Sequence, residues 1–124
     1  MKLNEKQPKV SVIVPIYNVE QYIEKCVRSL MEQTLVNIEF IFVNDCTPDD
    51  SMTVLRRVLK DYPARESQVP ILEHKENRGV AAVRKKGMEV AIGEYIIHCD
   101  SDDWVEKNMY EKLLEKAIET EADI

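Results

Sequence analysis

The segment HCDSDDW, residues 98–104, places Asp100, Asp102 and Asp103 within four positions, directly after the apolar run EYII. Carboxylates this close raise one another's pKa and cost stability unless a positive charge lies between them. A hard divalent cation answers that need. Mg²⁺ or Mn²⁺ takes one or two protein carboxylates and fills its other positions with water and phosphate oxygens. Helix capping and plain solvation are the competing accounts. In an extended stretch, residues i and i+2 project to one side, so Asp100 and Asp102 face one site while Ser101 points away. Asp103 projects differently and, with Glu106 three residues on, has the pattern of a helix cap.

The elements that must position these acids alternate strictly. VSVIV (10–14) is a continuous β-branched run, the pattern of a strand buried on both faces, and it stops at Pro15. A helix follows with Tyr22, Ile23, Cys26, Val27, Leu30 and Met31 at helical spacing, and Asn18 with Gln21 forms a capping-box pattern. IEFIFV (38–43) is the second strand. Thr47 and Pro48 then read as cap and first turn of a helix carrying Met52, Leu55, Val58, Leu59 and Tyr62. A polar connection, PARESQ, leads to the short strand PILEH. A third helix is predicted from Val80 to Ile92, ended by Gly93. EYIIHC is the fourth strand, and the last helix is predicted from Val105 to Thr120, with Met109, Leu113, Leu114, Ala117 and Ile118 inward.

Strand and helix alternate four times without hairpin signals. That order calls for right-handed crossovers and a mostly parallel α/β sheet with helices on both faces. At 124 residues the chain is one domain. The closing EADI reads as the opening of another strand, so residues 1–124 are expected to be the front portion of a longer chain.

In an open parallel sheet, ligands bind outside the carboxyl ends of the strands. Each polar cluster falls there: PIYN, ND, ENRG and DSDD follow strands one to four. With three glycines there is no GxGxxG after the first strand and no GxxxxGK[ST] anywhere, which argues against a phosphate cradle of backbone amides. A diphosphate bound here needs a divalent cation, with help from Arg78 or Arg84. Several residues keep two readings. Asp45 either bonds amides of its own turn or meets a ligand. Tyr17 either stacks on a base or packs on its loop. Arg78 is a phosphate or base contact, or a surface charge. Trp104 anchors its loop or shapes a sugar pocket. Asp49 and Asp50 suit the first turn of a helix, and His74 and His98, without partners at metal spacing, suit structural roles.

A net charge of −6 speaks against a nucleic-acid binder, which needs a basic face. Cys26, Cys46 and Cys99 have no zinc spacing, and buried thiols of a reducing compartment fit Cys26 and Cys99. MKLNEKQPKV is too polar for a signal peptide, and no apolar run approaches the roughly 20 residues of a membrane span. The expected location is cytoplasmic, with peripheral association at the inner membrane face compatible.

VSVIVPIYN, FIFVNDCTPDDS, ENRGVAAVRKKG and GEYIIHCDSDD, in this order between Val10 and Asp103, resemble the inverting family 2 glycosyltransferases of GT-A fold. The resemblance implies a Rossmann-like sheet, a nucleotide-diphosphate sugar donor with a UDP-sugar favoured, a carbohydrate or lipid-linked acceptor, and Mn²⁺ or Mg²⁺. It implies that Pro15 and Tyr17 line the nucleoside pocket, that Asp45 hydrogen-bonds the base, and that Arg78 joins them. Asp100 and Ser101 would meet the ribose or sugar, and Asp102 with Asp100 would hold the metal. The chain reads VNDCT where many relatives read VDDGS, so Asn44 replaces an acid and Cys46 a glycine. Inverting members place the general base, an Asp or Glu, beyond the DxD, which leaves the catalytic residue of this chain unassigned. Two alternatives are a catalytically silent binding or scaffold module and a phospho-receiver domain, whose acids belong after strands one and three.

Overall fold

The computed structural model describes residues 8–120, so the strand expected to open at EADI lies outside the described residues. The strands are β1 (Val10–Ile16), β2 (Ile38–Asn44), β3 (Ile71–Glu73) and β4 (Tyr95–His98). The helices are α1 (Ile23–Met31), α2 (Ser51–Leu59), α3 (Val80–Val90) and α4 (Met109–Thr120), with a 3-10 helix at Pro63–Gln68. All strand pairs are parallel, in the order β3-β2-β1-β4. The α/β fold class expected from the alternation is the one observed.

β1 and β2 are central, and helices cover both their faces, so their sequences are mostly apolar without alternation, the buried exceptions Ser11 and Glu39 bonding each other at 2.6 Å. Val10, Val12, Val14 and Ile16 join Ile38, Phe40 and Phe42 in the larger core, against Ile23, Val27 and Leu30 of α1, Leu55 and Val58 of α2, and Tyr110 and Leu114 of α4. Ile13, Ile41 and Val43 face the other way and pack on Val83 of α3. β1 runs through Pro15 to Ile16 rather than stopping at the proline. The Ile13 carbonyl accepts the Cys99 N–H, and two residues on, Pro15 faces the same side where β4 has already ended. Its missing N–H therefore removes no ladder bond.

Helix boundaries depart most from expectation. α1 starts at Ile23 with no side-chain cap, and Asn18 instead adopts a left-handed conformation, φ 56°. α3 ends at Val90, before Gly93. A Cβ on Gly93 would lie 2.7 Å from the Ser11 backbone nitrogen, so the glycine permits close approach to β1 and does not cap a helix. α4 begins at Met109, four residues later than the pattern predicts, and Ile118 is exposed.

The connection PARESQ is structural as well as polar. Arg65 reaches the C-terminal end of α1, donating from Nε to the Met31 carbonyl (3.0 Å) and from Nη2 to those of Gln33 (2.6 Å) and Leu35 (3.1 Å). The Met31 carbonyl is one that a helix end leaves without an intrahelical partner, and those of Gln33 and Leu35 belong to the irregular segment that follows. Arg65→Ala should cost about 2 kcal/mol of unfolding free energy, because buried acceptors lose a charged donor; chemical denaturation measures it.

Candidate functional site

The strand order places the site. The chain moves outward from β1 to β2 to β3 and then returns to the opposite side of β1 as β4. The loops after β1 and β4 therefore diverge above neighbouring strands, which leaves a crevice at the switch point of an open α/β sheet.

The loop after β2 supports the loop after β1. The amides of Asn18, Val19 and Glu20 donate to Thr47 Oγ1 (2.9 Å), Ser51 Oγ (3.0 Å) and Asp49 Oδ2 (3.1 Å). Asp49 Oδ1 also accepts from the Thr47 and Ser51 hydroxyls, each at 2.6 Å. Thr47 is thus not a helix cap, since α2 starts only at Ser51. Burial pushes the Asp49 carboxyl up, but the bonds from Ser51, Thr47 and Glu20 outweigh it and bring its pKa down to about 2 from 3.8. The unfolded chain therefore binds this proton more readily than the native one. The stability Asp49 contributes is complete above 3.8 and lost as pH falls through about 2. Acid titration of unfolding should show Asp49→Asn less stable than the parent at pH 6, with the gap closing below pH ~3.

Asp45, at the end of β2, is almost wholly buried. Its Oδ1 accepts from His74 Nδ1 (2.8 Å) and the Arg78 amide (2.9 Å), and its Oδ2 from the Gly79 amide (2.9 Å). The amides it holds belong to the segment after β3, not to its own turn. Burial alone would raise its pKa, but the bonds from His74, Arg78 and Gly79 prevail and hold the carboxyl below its ordinary value. An ionised carboxylate offers about four acceptor positions, so three bonds leave one on Oδ2. Gly79, at φ 94°, supplies a backbone geometry that side-chain-bearing residues rarely adopt. Cys46 sits at φ 57°, where a glycine would be free of the roughly 1 kcal/mol penalty of left-handed backbone.

After β4 the chain turns at Ser101 and Asp102, with the Asp103 amide donating to the Asp100 carbonyl at 3.1 Å. The stretch is not extended, which corrects the projection argued from alternation. Carboxylate oxygens of Asp100, Asp102 and Asp103 all lie within 4.8 Å of one another, and all three residues are exposed. Asp103 belongs to this cluster and is too far from α4 to cap it. Ser101, expected to point away, is buried and lines the site. Three carboxylate donors, open to solvent and without a cationic side chain bonded to them among the described residues, match the donor set of a hard divalent ion.

Pro15, Tyr17, Asp45, Asp100, Ser101 and Asp102 converge on one cavity of about 430 Å³. Val19, Asn77, Gly79, Val80 and Val83 complete its wall, and the sequence alone assigned none of the five to a binding role. The rim cluster ENRG pointed to Asn77 and Gly79 only as a group. Neither arginine joins the wall. Arg78 contributes its amide, while its guanidinium lies 3.9 Å from Glu76 in a neighbouring depression of about 670 Å³ that mixes Lys75, Lys85 and Lys86 with Glu73, Glu76 and Glu89. Arg84 keeps a buried Nε without a hydrogen-bond partner among the described residues.

Residues 11–124 match the family described as glycosyl transferase family 2. EpsJ of Bacillus subtilis, named an uncharacterized glycosyltransferase, is 43% identical over 117 residues, which cover 94% of this chain and 33% of that protein. The glycosyltransferase GlyA of Streptococcus pneumoniae is 40% identical over 116 residues, 94% of this chain and 16% of that one. Among solved structures, S. aureus TarS in complex with UDP superposes with a TM-score of 0.78 at 27% identity, covering 90% of this chain and 32% of that one. The mannosyltransferase PcManGT from Pyrobaculum calidifontis, in complex with GDP-Man and Mn²⁺, gives 0.72 at 28% identity, covering 79% and 28%. This chain thus spans a third or less of the length of these relatives. From the family match and the superposed parallel sheet, the chain belongs to glycosyl transferase family 2 and has the GT-A fold.

Proposed function

We propose that the protein of which this chain is a part transfers a sugar from a nucleotide-diphosphate donor, a UDP-sugar, to an acceptor hydroxyl with inversion, and that residues 1–124 are its donor-binding portion. The observation that carries this reading is the cavity at the switch point, where Tyr17, Asp45, Asp100 and Asp102 meet from three loops far apart in sequence. The complexes of TarS with UDP and of PcManGT with GDP-Man and Mn²⁺ support the donor class.

Tyr17, nearly half exposed beside Pro15, offers a face on which a nucleobase stacks. Asp45, fixed and ionised, keeps one acceptor position on Oδ2 for a base N–H. Asp100 and Ser101 meet the ribose or sugar. Asp102 with Asp100 holds Mn²⁺ or Mg²⁺, and Asp103 stands in reach of the same ion. When bound, the ion supplies Lewis-acid stabilisation of charge developing on the departing nucleoside diphosphate. Every acid in the cavity wall then has a donor-side role, and the base that deprotonates the acceptor is left unassigned.

No helix among the described residues is long and apolar enough to cross a membrane. We place the reaction in the cytoplasm, with a carbohydrate or lipid-linked acceptor presented at the inner membrane face.

Calorimetric titration with UDP tests the donor assignment. Binding should require Mn²⁺ or Mg²⁺, disappear with chelator, and exceed that of inorganic phosphate. Equal binding of phosphate, or binding indifferent to metal, would falsify it. A catalytically silent module would bind UDP in the same way, and hydrolysis or transfer from UDP-sugars by the full-length protein separates that reading.

A further inference from the structure

The aspartate loop, residues 99–108, has few bonds of its own: the amide of Asp103 and the thiol of Cys99 both donate to the Asp100 carbonyl, at 3.1 and 3.6 Å. Three exposed like charges at one turn repel each other and favour opening. Besides the Cys99 amide, which donates to the Ile13 carbonyl of β1, and the Met109 amide of α4, which donates to the Glu106 carbonyl, what restrains the loop comes from α1 and the two residues that follow its cap. Cys26 Sγ donates to the Asp100 carbonyl at 3.9 Å. Lys25 Nζ lies 4.7 Å from the centroid of the Trp104 ring. The Val105 amide donates to Ser29 Oγ at 3.2 Å. The Thr34 amide donates to the Lys107 carbonyl at 2.8 Å.

Gln33 is the most heavily engaged. It is 5% exposed, and its side chain makes three bonds. Nε2 donates to the Ser29 carbonyl (3.2 Å) and the Glu106 carbonyl (2.5 Å), while Oε1 accepts from the Tyr110 amide (3.1 Å). One side chain thus ties the end of α1 to the end of the aspartate loop and to the first turn of α4. Cys26 and Ser29 are three residues apart on the face of α1 toward the loop, and Gln33, just past the helix cap, extends that stripe.

We infer that Gln33, assisted by Ser29, is a positioning residue of the donor site: the α1 stripe splints the aspartate loop so that Asp100 and Asp102 stay gathered before any cation arrives. Neither residue lines the cavity, and both act through the loop backbone. The inference rests on the reading of these aspartates as metal-binding. A residue that supports ligands from behind typically sets metal affinity by 10–100-fold, whereas one that only holds helices together changes stability alone.

The test uses full-length protein and reads UDP binding across a Mn²⁺ series, beside thermal unfolding. Gln33→Met keeps the volume and removes all three bonds. Ser29→Ala is a milder second variant that decides if the first fails to fold. Both should shift the Mn²⁺ midpoint upward, by about tenfold for Gln33→Met, with UDP binding recovered at high Mn²⁺. Leu55→Ala, a core truncation away from the loop, should lower the unfolding temperature and leave the midpoint alone. An unshifted midpoint in the loop variants, or an equal shift in Leu55→Ala, overturns the positioning role. A parent protein whose UDP binding ignores Mn²⁺ overturns the metal reading, and the inference with it.

Discussion

Replacing Asp102 by asparagine is expected to weaken Mn²⁺-dependent UDP binding by about 100-fold. Loss of a residue that merely supports a metal ligand costs roughly 10–100-fold, and removing a charged ligand belongs at the upper end of that range. The carboxamide keeps an oxygen but not the charge that hard cations favour. Stability should move the other way. Asp102 shares its turn with Asp100 and Asp103, and removing one of three gathered charges relieves repulsion in the metal-free protein. The variant should therefore unfold at the same temperature as the parent or slightly higher when chelator is present. Adding Mn²⁺ and UDP at about 100 times their dissociation constant should stabilise the parent by about 2.7 kcal/mol, with little gain for the variant. A variant that binds like the parent would remove Asp102 from the site. A variant that binds poorly but also unfolds early would point to a structural role for Asp102.

Asp45→Asn should combine two losses. The carboxylate accepts from His74 Nδ1 and from the amides of Arg78 and Gly79, and its side chain is 5% exposed. An asparagine keeps one acceptor oxygen and turns an NH₂ group toward at least one of these donors. Hydrogen bonds to charged groups are worth about 1.5–3 kcal/mol each. Even with partial compensation, a cost of about 3 kcal/mol in unfolding free energy is expected. The segment carrying Asn77 and Gly79 would lose its anchor, so UDP affinity should fall by at least about tenfold, roughly 1.4 kcal/mol. The Mn²⁺ midpoint should stay close to that of the parent, because the aspartate loop hangs from α1 and not from Asp45. A metal midpoint that shifts as far as the UDP affinity would show that the two halves of the site are not independent.

Together these variants would divide the site along the line that the topology draws. On the proposed reading, Asp45 and the segment after β3 hold the nucleoside side, and the loop after β4 holds the diphosphate side.

The central strands were legible because burial on both faces leaves little room for polar residues, and VSVIV and IEFIFV carry that constraint in their composition, apart from Ser11 and Glu39, which are buried with the Ser11 hydroxyl donating to the Glu39 carboxylate at 2.6 Å. The location of the site followed from the same pattern, since polar clusters interrupt it only where strands end. Individual side chains were less legible. Arg78 looked like a ligand from its place in ENRG, yet its amide serves the site and its guanidinium does not. Asp103 looked like a cap because Glu106 follows at the right interval, but the loop continues to Met109 before helix geometry begins. His74 and Gln33 carry no local signal at all. Their roles arise from partners 29 and 73 residues away in the chain.

The sequence by itself determined the alternation of elements, the parallel sheet, and the gathering of acids at its carboxyl edge. These depend on periodicity and on residue type, which are properties of short stretches. The tertiary structure alone decided which atoms face the cavity, how Asp45 is saturated, and what restrains the aspartate loop. Those depend on bonds between segments that only the packed sheet brings within 3 Å or so, and local spacing holds no record of them.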